Sequence, residues 1–341
     1  ATVVDLSHHP ACGRILLVRF GCREGRGGLF WPVHRACRSG VLVLGMSRYP
    51  YPVARIGIIG GGQLGRMMAK AAKKLGFTSV VLDPTPNCPA GQVSGHQILG
   101  DAHDPARLRE LAEICDVTTF DIEDIDTRAL GTLEREGFAI RPAAGLLEIV
   151  QDKLLQKQAL ARHGIPTSPF VELTEVEPDA FARFGYPLVQ KARRGGYDGR
   201  GVAILRSAED LAQRLPGPGL LERFVEADKE LAVVVARGMD GDTRPYGVVE
   251  MCFRPGANVL EMLLAPARIP EDTARAAAEL ATRTVGALDG VGIFGVEMFL
   301  TRDGALLVNE VAPRTHNSGH YTIEACVTDQ FEQHLRAVTG L

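Results

Sequence analysis

The sequence lacks the features of several large protein classes. Its seven cysteines are scattered through 341 residues, and no two of them form a C-x-x-C pair. An odd and dispersed set of this kind is typical of reduced, cytosolic thiols rather than of a disulfide framework. The cysteines and histidines among the first 37 residues match no zinc-module spacing. We therefore expect a cytoplasmic protein without structural disulfides.

Long apolar runs and an excess of one charge are missing as well. No uninterrupted apolar stretch approaches the roughly 18 to 20 residues that span a bilayer, which argues against a membrane protein. The formal net charge is −3, and basic residues cluster only as short Arg pairs. The chain therefore has no extended positive field to hold a nucleic-acid backbone. We expect neither a membrane nor nucleic acid as a partner.

Composition and periodicity divide the chain into three parts. The first 45 residues are rich in Arg and Gly and show no sustained helical or strand periodicity, so we expect 1–54 to be an N-terminal extension outside the fold, with Met46 as the start. Over 55–150, short apolar strands alternate with segments of helical periodicity, which predicts a parallel α/β sheet. Residues 151–341 form the rest. There we expect a helix near 152–162, a further helix that starts after Ser207, and a long helix whose alanines share one stripe.

A glycine-rich turn follows the first strand of the α/β part. Gly60 to Gly65 fits G-x-G-x-x-G, and Asp83 lies about where a ribose-binding acid would stand in a dinucleotide site. Taken alone, this pattern indicates a dehydrogenase. Glycines at a helix N-terminus also admit other anions, and a structural tight turn would need them too. The loop by itself leaves all three interpretations open.

Two acidic residues are predicted to meet near the end of the chain. If Asp303-Gly304 is a two-residue type I′ turn, Glu297 lies directly opposite Glu310, with about 5 Å between the Cβ atoms. Adjacent like charges repel, so a divalent cation between them is favoured, and oxygen ligands near phosphate indicate Mg²⁺. The alternative is an exposed acidic pair on an edge hairpin, which the apolar neighbours Val296, Met298, Val308 and Val311 argue against.

Two further segments carry polar chemistry. Lys191 is followed by the glycine-rich run 194–201, which could fold over a polyphosphate; a flexible surface turn is the alternative. No G-x-x-x-x-G-K-[ST] sequence is present, so a nucleotide site would not be of the P-loop kind. Residues 309–322 place many polar groups directly after an apolar strand. Burying such groups unpaired would cost several kcal/mol, so this run indicates a site.

Together these segments resemble the 5-(carboxyamino)imidazole ribonucleotide synthase family of ATP-grasp enzymes. The N-S-G-H element at 317–320 is the most specific feature, beside Glu297 and the Asn309-Glu310 pair. The resemblance covers nearly all of 55–341. It implies an α/β protein with an ATP-grasp fold in 151–341, including a small lid subdomain at about 167–226. A Rossmann-like domain at 55–150 would precede that fold, and the usual small C-terminal domain would be truncated.

The resemblance implies ATP- and bicarbonate-dependent carboxylation of 5-aminoimidazole ribonucleotide in de novo purine biosynthesis. ATP would phosphorylate bicarbonate, and the resulting carboxyphosphate would deliver carbon dioxide to the exocyclic amine. ADP and phosphate would be released. The implied cofactor is Mg²⁺, with Mn²⁺ as a substitute, and the implied assembly is a homodimer.

The resemblance also assigns roles to individual residues. Those expected to contact ATP are Lys153, Lys191, Gly196, Tyr197, Asp198, Gly199, Gly201, Glu222, Arg223, Phe224, Val225, Glu230, Asn309 and Glu310. Among them, the segment Glu222 to Val225 would be the hinge beside the adenine. Those expected to face the ribonucleotide are Gly62, Gln63, Leu64, Glu123, Arg314 and His320. Glu297 and Glu310 would hold the metal. The implied catalytic residues are Lys191, Arg314, His316 and Asn317, with Arg314 orienting bicarbonate or carboxyphosphate.

Three departures from the family pattern keep alternatives open. Lys153 stands where Arg is common, which keeps the charge but loses a bidentate fork. The family's Glu-Asn-x-His pattern reads Glu250-Met251-Cys252-Phe253, and the chain stops at Leu341, where the family continues. The alternatives are another ATP-grasp ligase of purine synthesis, such as a formate-dependent glycinamide ribonucleotide transformylase, a nucleotide-binding relative without turnover, and a dehydrogenase. The last leaves the acidic pair unexplained.

Overall fold

The structure, a computed structural model, describes residues 2–4, 14–17, 55–176, 178–196, 201–254 and 260–341. In chain order the strands are β1 (Thr2–Val4), β2 (Arg14–Leu17), β3 (Arg55–Ile59), β4 (Thr78–Asp83), β5 (Gln97–Leu99), β6 (Val117–Phe120), β7 (Phe170–Leu173), β8 (Leu188–Ala192), β9 (Val202–Leu205), β10 (Gly219–Arg223), β11 (Ala227–Arg237), β12 (Thr243–Pro245), β13 (Val249–Phe253), β14 (Leu260–Ala265), β15 (Gly292–Thr301) and β16 (Leu306–Ala312). The helices are α1 (Gln63–Lys74), α2 (Gly91–Ser94), α3 (Pro105–Ile114), α4 (Thr127–Arg135), α5 (Ala144–Gln151), α6 (Lys153–Arg162), α7 (Pro178–Phe184), α8 (Glu271–Leu288), α9 (Thr322–Ala325) and α10 (Gln330–Thr339). None of the described helices combines the length and the apolar composition that a bilayer crossing requires.

The first sheet is parallel, with strand order β5-β4-β3-β6. Its central strands are buried along most of their length, as strands covered on both faces must be; Ile56, Ile58 and Ile59 of β3 are fully buried. Helices pack on either side and form two separate cores. The parallel α/β sheet predicted for 55–150 is confirmed.

A second, antiparallel sheet of order β7-β10-β8-β9 lies between residues 170 and 223. Phe181 of α7 is fully buried against it. The helix predicted to start after Ser207 is instead a 3₁₀ turn, Ala208–Gln213. Asp210 accepts from the backbone N–H of Ser207 at 3.2 Å and of Arg206 at 2.7 Å, so its carboxylate caps the start of this 3₁₀ segment.

The largest sheet has the order β1-β2-β14-β13-β11-β15-β16, with β12 beside β11. The predicted long helix is α8, whose stripe of Ala277, Ala281 and Val285 is fully buried against this sheet. Strands β1 and β2 extend the sheet edge, where β14 offers its backbone groups to β2 in parallel pairing. Both strands lie within 1–54, the segment predicted to be an extension outside the fold, and their pairing with β14 departs from that prediction. The other residues of 1–54, Met46 among them, lie outside the described residues.

Helix α10 joins the parallel sheet to the largest sheet. Phe331 and Leu335 are buried in one cluster with α1. His334, fully buried, accepts at Nδ1 from the Ile293 N–H at 3.0 Å and contacts Thr119 Oγ1 through Nε2 at 2.7 Å. Because a backbone N–H can only donate, the ring proton is on Nε2. One neutral histidine therefore links a strand of each sheet, and burial lowers its pKa to about 4.

Candidate active site

The turn between β15 and β16 is one residue longer than predicted. The Thr301 N–H donates to the Ala305 carbonyl at 2.9 Å, so Arg302, Asp303 and Gly304 form a three-residue loop. Gly304 has φ +86°, the left-handed conformation that such loops require at one position. The prediction of a two-residue type I′ turn is wrong, because the glycine closes the longer loop instead.

The two strands nevertheless bring the two acidic residues together. Glu297 pairs with Glu310, whereas Met298 pairs with Val308. Asn309 is therefore an extra residue in β16, and this β-bulge cancels the offset that the longer turn introduces. The predicted pairing of Glu297 with Glu310 is confirmed.

The face that carries these acids is more acidic than predicted. On the other side of β15, Glu297 pairs with Ala232, two residues from Glu230 on β11, so all three carboxylates share one face. The flanking apolar residues thought to surround the acids lie on the opposite face, in the core under α8. Burial raises the pKa of Glu230 to about 7. Burial, together with the charge of Glu310, raises the pKa of Glu297 to about 8.

Two lysines approach the acidic face. Lys153, in the first turn of α6, donates to Glu310 at 2.7 Å, and its charge holds the pKa of Glu310 down at about 2. Lys191, near the end of β8, donates to Asn309 Oδ1 at 3.1 Å. The structure thus brings together four of the residues predicted to bind ATP: Lys153, Lys191, Asn309 and Glu310.

The glycine-rich loop after β8 is anchored at its base. Arg193 forms a forked ion pair with Asp152 through bonds of 2.7 to 3.1 Å, and Arg194 donates to Gln151 Oε1 at 2.9 Å. Gly196 and Gly201 flank the loop tip, whereas the predicted residues Tyr197, Asp198, Gly199 and the basic Arg200 lie outside the described residues. The described base places this loop beside the start of α6.

The predicted adenine hinge, Glu222 to Val225, lies where β10 ends. The Glu222 side chain is buried and turned inward, and the Arg223 guanidinium stacks over the Phe184 ring at 5.2 Å. Both side chains are occupied by protein contacts. Any contact of these two residues with a base would therefore have to come from their backbone groups.

The loop Gly60 to Gly65 is held by two carboxylates. Asp83 accepts from the Gly61 N–H at 2.8 Å, and Asp121 accepts from the Gly65 N–H at 2.5 Å. Gly60 has φ +100°, and a Cβ there would lie 1.7 Å from Asp121 Oδ1. A pyrophosphate bound at the Gly61 and Gly65 amide groups would face the carboxylates of Asp83 and Asp121, which already accept from these amides. This geometry contradicts the dehydrogenase interpretation, because the supposed ribose acid Asp83 binds the loop itself.

Residues predicted to face the ribonucleotide meet near this loop. Arg314 Nε lies 3.2 Å from Glu123 Oε1. Gln63 and Leu64 are half-buried in the first turn of α1, which follows the exposed N-cap Gly62. Burial raises the pKa of Asp121 to about 6, against the opposing effects of its Gly65 bond and of the Arg314 charge. Asp121 therefore connects the glycine loop to the Glu123–Arg314 pair.

His316 lies against the acidic face as a neutral ring. Its Nδ1 accepts from the Ser318 N–H at 3.3 Å, which leaves the proton on Nε2, 3.4 Å from Glu297 Oε1. Burial lowers its pKa to about 3. Gln330 clamps its backbone, accepting from the His316 N–H at 2.8 Å and donating to its carbonyl at 2.7 Å. A Cβ on Gly295 would lie 2.6 Å from the His316 ring, so only glycine admits the ring there.

Asn317 and His320, the first and last residues of the N-S-G-H element, have different surroundings. Asn317 is exposed in a 3₁₀ turn. His320 is buried and stacks on Phe331 of α10 with 6.0 Å between ring centroids. Within the described part of the chain, no hydrogen bond or ion pair joins His320 to Glu123 or Arg314. The structure therefore places His320 against α10 rather than beside that pair.

Sequence reasoning missed three residues of this site. Lys157 lies four residues after Lys153, on the same face of α6, and that spacing was the available signal. Asp121 directly follows β6, at the carboxyl end of a strand next to β3, where ligands of open α/β sheets gather. Gln330, the clamp on His316, had no signal beyond its place in the family resemblance.

The departure at 250–253 has a packing explanation. Met251 is buried and Phe253 partly buried in one apolar cluster with Tyr321. Glu250 is bonded instead to Arg268 at 2.6 Å and to Lys229 at 3.0 Å. The apolar residues thus add to a local core at positions where the family has polar groups.

Comparison with known proteins agrees with this architecture. A model of the ATP-grasp domain matches residues 158–331, and a model of the ribonucleotide synthetase preATP-grasp domain matches residues 53–151. The N5-carboxyaminoimidazole ribonucleotide synthase of Brucella melitensis is 42% identical over 298 residues, which cover 85% of this chain and 82% of that protein. The chloroplastic phosphoribosylaminoimidazole carboxylase of Vigna aconitifolia is 41% identical, with 84% of this chain and 52% of that protein covered. The chain spans about half the length of the latter relative.

Solved structures of the same kind of protein are also similar. The Thermotoga maritima N5-carboxyaminoimidazole ribonucleotide synthetase has a TM-score of 0.77 at 51% identity, covering 84% of this chain and 76% of that chain. The Aspergillus clavatus N5-carboxyaminoimidazole synthase, in complex with ADP and 5-aminoimidazole ribonucleotide, has a TM-score of 0.79 at 37% identity, covering 85% and 77%. The predicted ATP-grasp fold after a Rossmann-like domain is confirmed. This chain belongs to the N5-carboxyaminoimidazole ribonucleotide synthase family of ATP-grasp proteins.

Proposed function

We propose that this chain carboxylates 5-aminoimidazole ribonucleotide with ATP and bicarbonate, forming ADP and phosphate. One observation carries the proposal: His316 stands between an acidic face with two lysines and, two residues away, the Arg314–Glu123 pair. The two lysines, which could bind a polyphosphate, therefore lie next to the Arg314 guanidinium, which could bind a small oxyanion. The Aspergillus relative, crystallised with ADP and this ribonucleotide, supports the choice of substrates.

The nucleotide is proposed to lie over the acidic face, between it and the 170–223 sheet. Lys153 and Lys191 would contact its phosphates as point charges, with backbone N–H groups of the loop from Gly196 to Gly201. Asn309, Glu230 and the hinge Glu222 to Val225 would complete the ATP site. In this proposal the ATP-grasp domain is 151–341, and its segment 167–226 is a lid over the nucleotide.

The residues present fit a magnesium ion, with Mn²⁺ as a substitute. Glu297 and Glu310 face each other, and burial together with mutual repulsion raises the pKa of Glu297 to about 8. Excess negative charge of this kind is what a divalent cation relieves. In the described residues no group of three or more His, Cys, Asp or Glu forms a metal cage. Mg²⁺ bound by two carboxylates and substrate phosphates does not need one.

The reaction is proposed to run in three steps. A bicarbonate oxygen attacks the γ-phosphorus, the bond to ADP breaks, and carboxyphosphate forms; it then splits into carbon dioxide and phosphate. The exocyclic amine attacks the carbon and loses one proton. When bound, the cation neutralises phosphate charge, as do Lys153 and Lys191. Arg314 would hold the carboxyphosphate, and His316 and Asn317 would donate to it.

Release of ADP tests this function. The chain is supplied with ATP, Mg²⁺ and bicarbonate, with and without 5-aminoimidazole ribonucleotide, and stimulation by the ribonucleotide is expected. If ATP binds but ADP is never released, the nucleotide-binding relative without turnover is the better description, a reading that the apolar Met251 and Phe253 favour. A cytoplasmic location and a homodimer stay predictions; sedimentation equilibrium would test the latter.

A further inference from the structure

Lys157 is buried in the fold, and its ammonium group is surrounded by three oxygen atoms. Its side chain is 3% exposed. It donates to Thr167 Oγ1 at 2.6 Å and to Ser168 Oγ at 3.0 Å, and its Nζ lies 3.1 Å from Glu222 Oε2. An ammonium has three hydrogens and no acceptor. With two hydrogens donated, the ammonium facing the Glu222 carboxylate and the side chain 3% exposed, Lys157 is not placed to contact a phosphate itself.

The Glu222 carboxylate is shared between two lysines. Oε2 accepts from Ser168 Oγ at 2.6 Å and faces Lys157, whereas Oε1 lies 3.0 Å from Lys191 Nζ. Among the described residues, Lys191 donates one hydrogen bond, to Asn309, beside its ion pair with Glu222. One buried negative charge thus faces two positive charges, and the cluster keeps a net charge of about +1 on the side of Lys191.

We propose that Lys157 is a positioning residue of the nucleotide site: it holds one half of the Glu222 carboxylate, so that Lys191 keeps its charge and its place for the ATP phosphates. The inference rests on the proposed function, which assigns Lys191 to ATP. Without Lys157, Lys191 is the one cation within ion-pair distance of the buried carboxylate in the described part of the chain. Their pair becomes neutral, and Lys191 is drawn away from the phosphates.

The hydrogen-bond directions give this arrangement a defined geometry. Thr167 Oγ1 accepts from Lys157 and donates to the Val308 carbonyl at 2.7 Å. Both directions are fixed, because an ammonium can only donate and a carbonyl can only accept. Val308 precedes the bulged Asn309, which accepts a hydrogen bond from Lys191. Lys157 therefore ties both partners of Lys191 to α6.

A double-mutant cycle tests the inference through ATP affinity, measured by calorimetry on the full chain. Lys157→Met is expected to weaken ATP binding by roughly tenfold to a hundredfold, the loss expected for one charge-assisted contact, while kcat changes less than KM. Glu222→Gln removes the shared charge. In that background Lys157→Met is expected to change ATP affinity by less than about threefold, because Lys157 acts through Glu222.

Each outcome decides the question. If Lys157→Met does not fold, the test uses the ATP affinities of Glu222→Gln and of the double variant. In the double variant the loss of Lys157 leaves no buried charge unpaired. A further tenfold loss in the double variant, or unchanged binding in Lys157→Met, overturns the inference. Lys74→Met, which removes a lysine paired with Glu332 at 2.7 Å between α1 and α10, is the control and should leave affinity unchanged. A parent chain that binds no ATP would refute the proposed function itself.

Discussion

Glu297 faces Glu310 across β15 and β16 because two irregularities of one residue each cancel. The turn that ends at Gly304 is one residue longer than a two-residue hairpin, and the bulge at Asn309 takes up the difference. The bulge also turns Asn309 toward Lys191, whose Nζ lies 3.1 Å from Asn309 Oδ1. A single irregular position in β16 thus aligns the acidic pair and supplies a neighbouring amide.

Replacing Glu310 with Gln should abolish Mg²⁺-dependent ADP release, by about a hundredfold or more, because it removes one charge from the proposed metal site. The fold should remain, since Glu310 is 41% exposed and the change relieves its repulsion with Glu297. Turnover and thermal melting are measured on the same sample. Glu110→Gln, at a surface pair with Arg107, is the control. An unaltered rate would remove the metal role of Glu310.

Replacing Arg314 with Ala should lower ribonucleotide-stimulated ADP release by roughly a hundredfold, because a fixed cation next to the developing oxyanion is lost. ATP affinity should change little, because Arg314 contacts Glu123 rather than the lysines. Arg302→Ala, in the exposed hairpin loop, serves as the matched control. If Arg314→Ala only unfolds the protein, its role is structural.

Replacing Gly295 with Ala should lower both activity and stability. The new Cβ would lie 2.6 Å from His316 Cγ, so the ring must move away from Glu297. Such overpacking costs about 1 to 3 kcal/mol in free energy of unfolding. Gly286→Ala, exposed on α8 with nothing within 4 Å of its Cβ, should instead raise stability by about 0.5 to 1 kcal/mol. Denaturant unfolding and ADP release on both variants check this, and equal behaviour of the two would contradict it.

Acid stability should depend on Glu250. Hydrogen bonds from Arg268 and Lys229 lower the pKa of Glu250 from its ordinary value of 4.5 to about 2, against the opposing effect of burial. A lowered pKa in the folded state stabilises the protein above pH 4.5, and this contribution is lost as the pH falls from about 4.5 to about 2. Glu250→Gln should therefore be less stable at neutral pH and show a flatter acid profile in that window. Parallel profiles of parent and variant would show that Glu250 does not control this transition.

Periodicity and local residue chemistry were sufficient for much of the fold. The alternation of strands and helices over 55–150, the stripe of α8 and the start of α6 at Asp152 were all readable, because each depends on residues close in sequence. The polar run after β16 could be recognised as a site, since so many polar groups are not buried without a use. Strands β1 and β2 could not be predicted from the sequence, because such short strands at the edge of a sheet form only through pairing with a partner strand.

What only the tertiary structure decided is which distant residues share a charge or a bond. Asp83 matched a ribose acid in spacing, yet it caps the glycine loop. Glu222 was read as a hinge residue, yet its carboxylate lies between Lys157 and Lys191, which come from a helix and a strand far apart in sequence. The sequence by itself determined the family and the strand and helix pattern, whereas the pairing of Glu297 with Glu310 depends on a longer turn and a bulge that only the structure shows. Hydrogen bonds and ion pairs over such separations depend on how the sheets pack, and no local pattern encodes them.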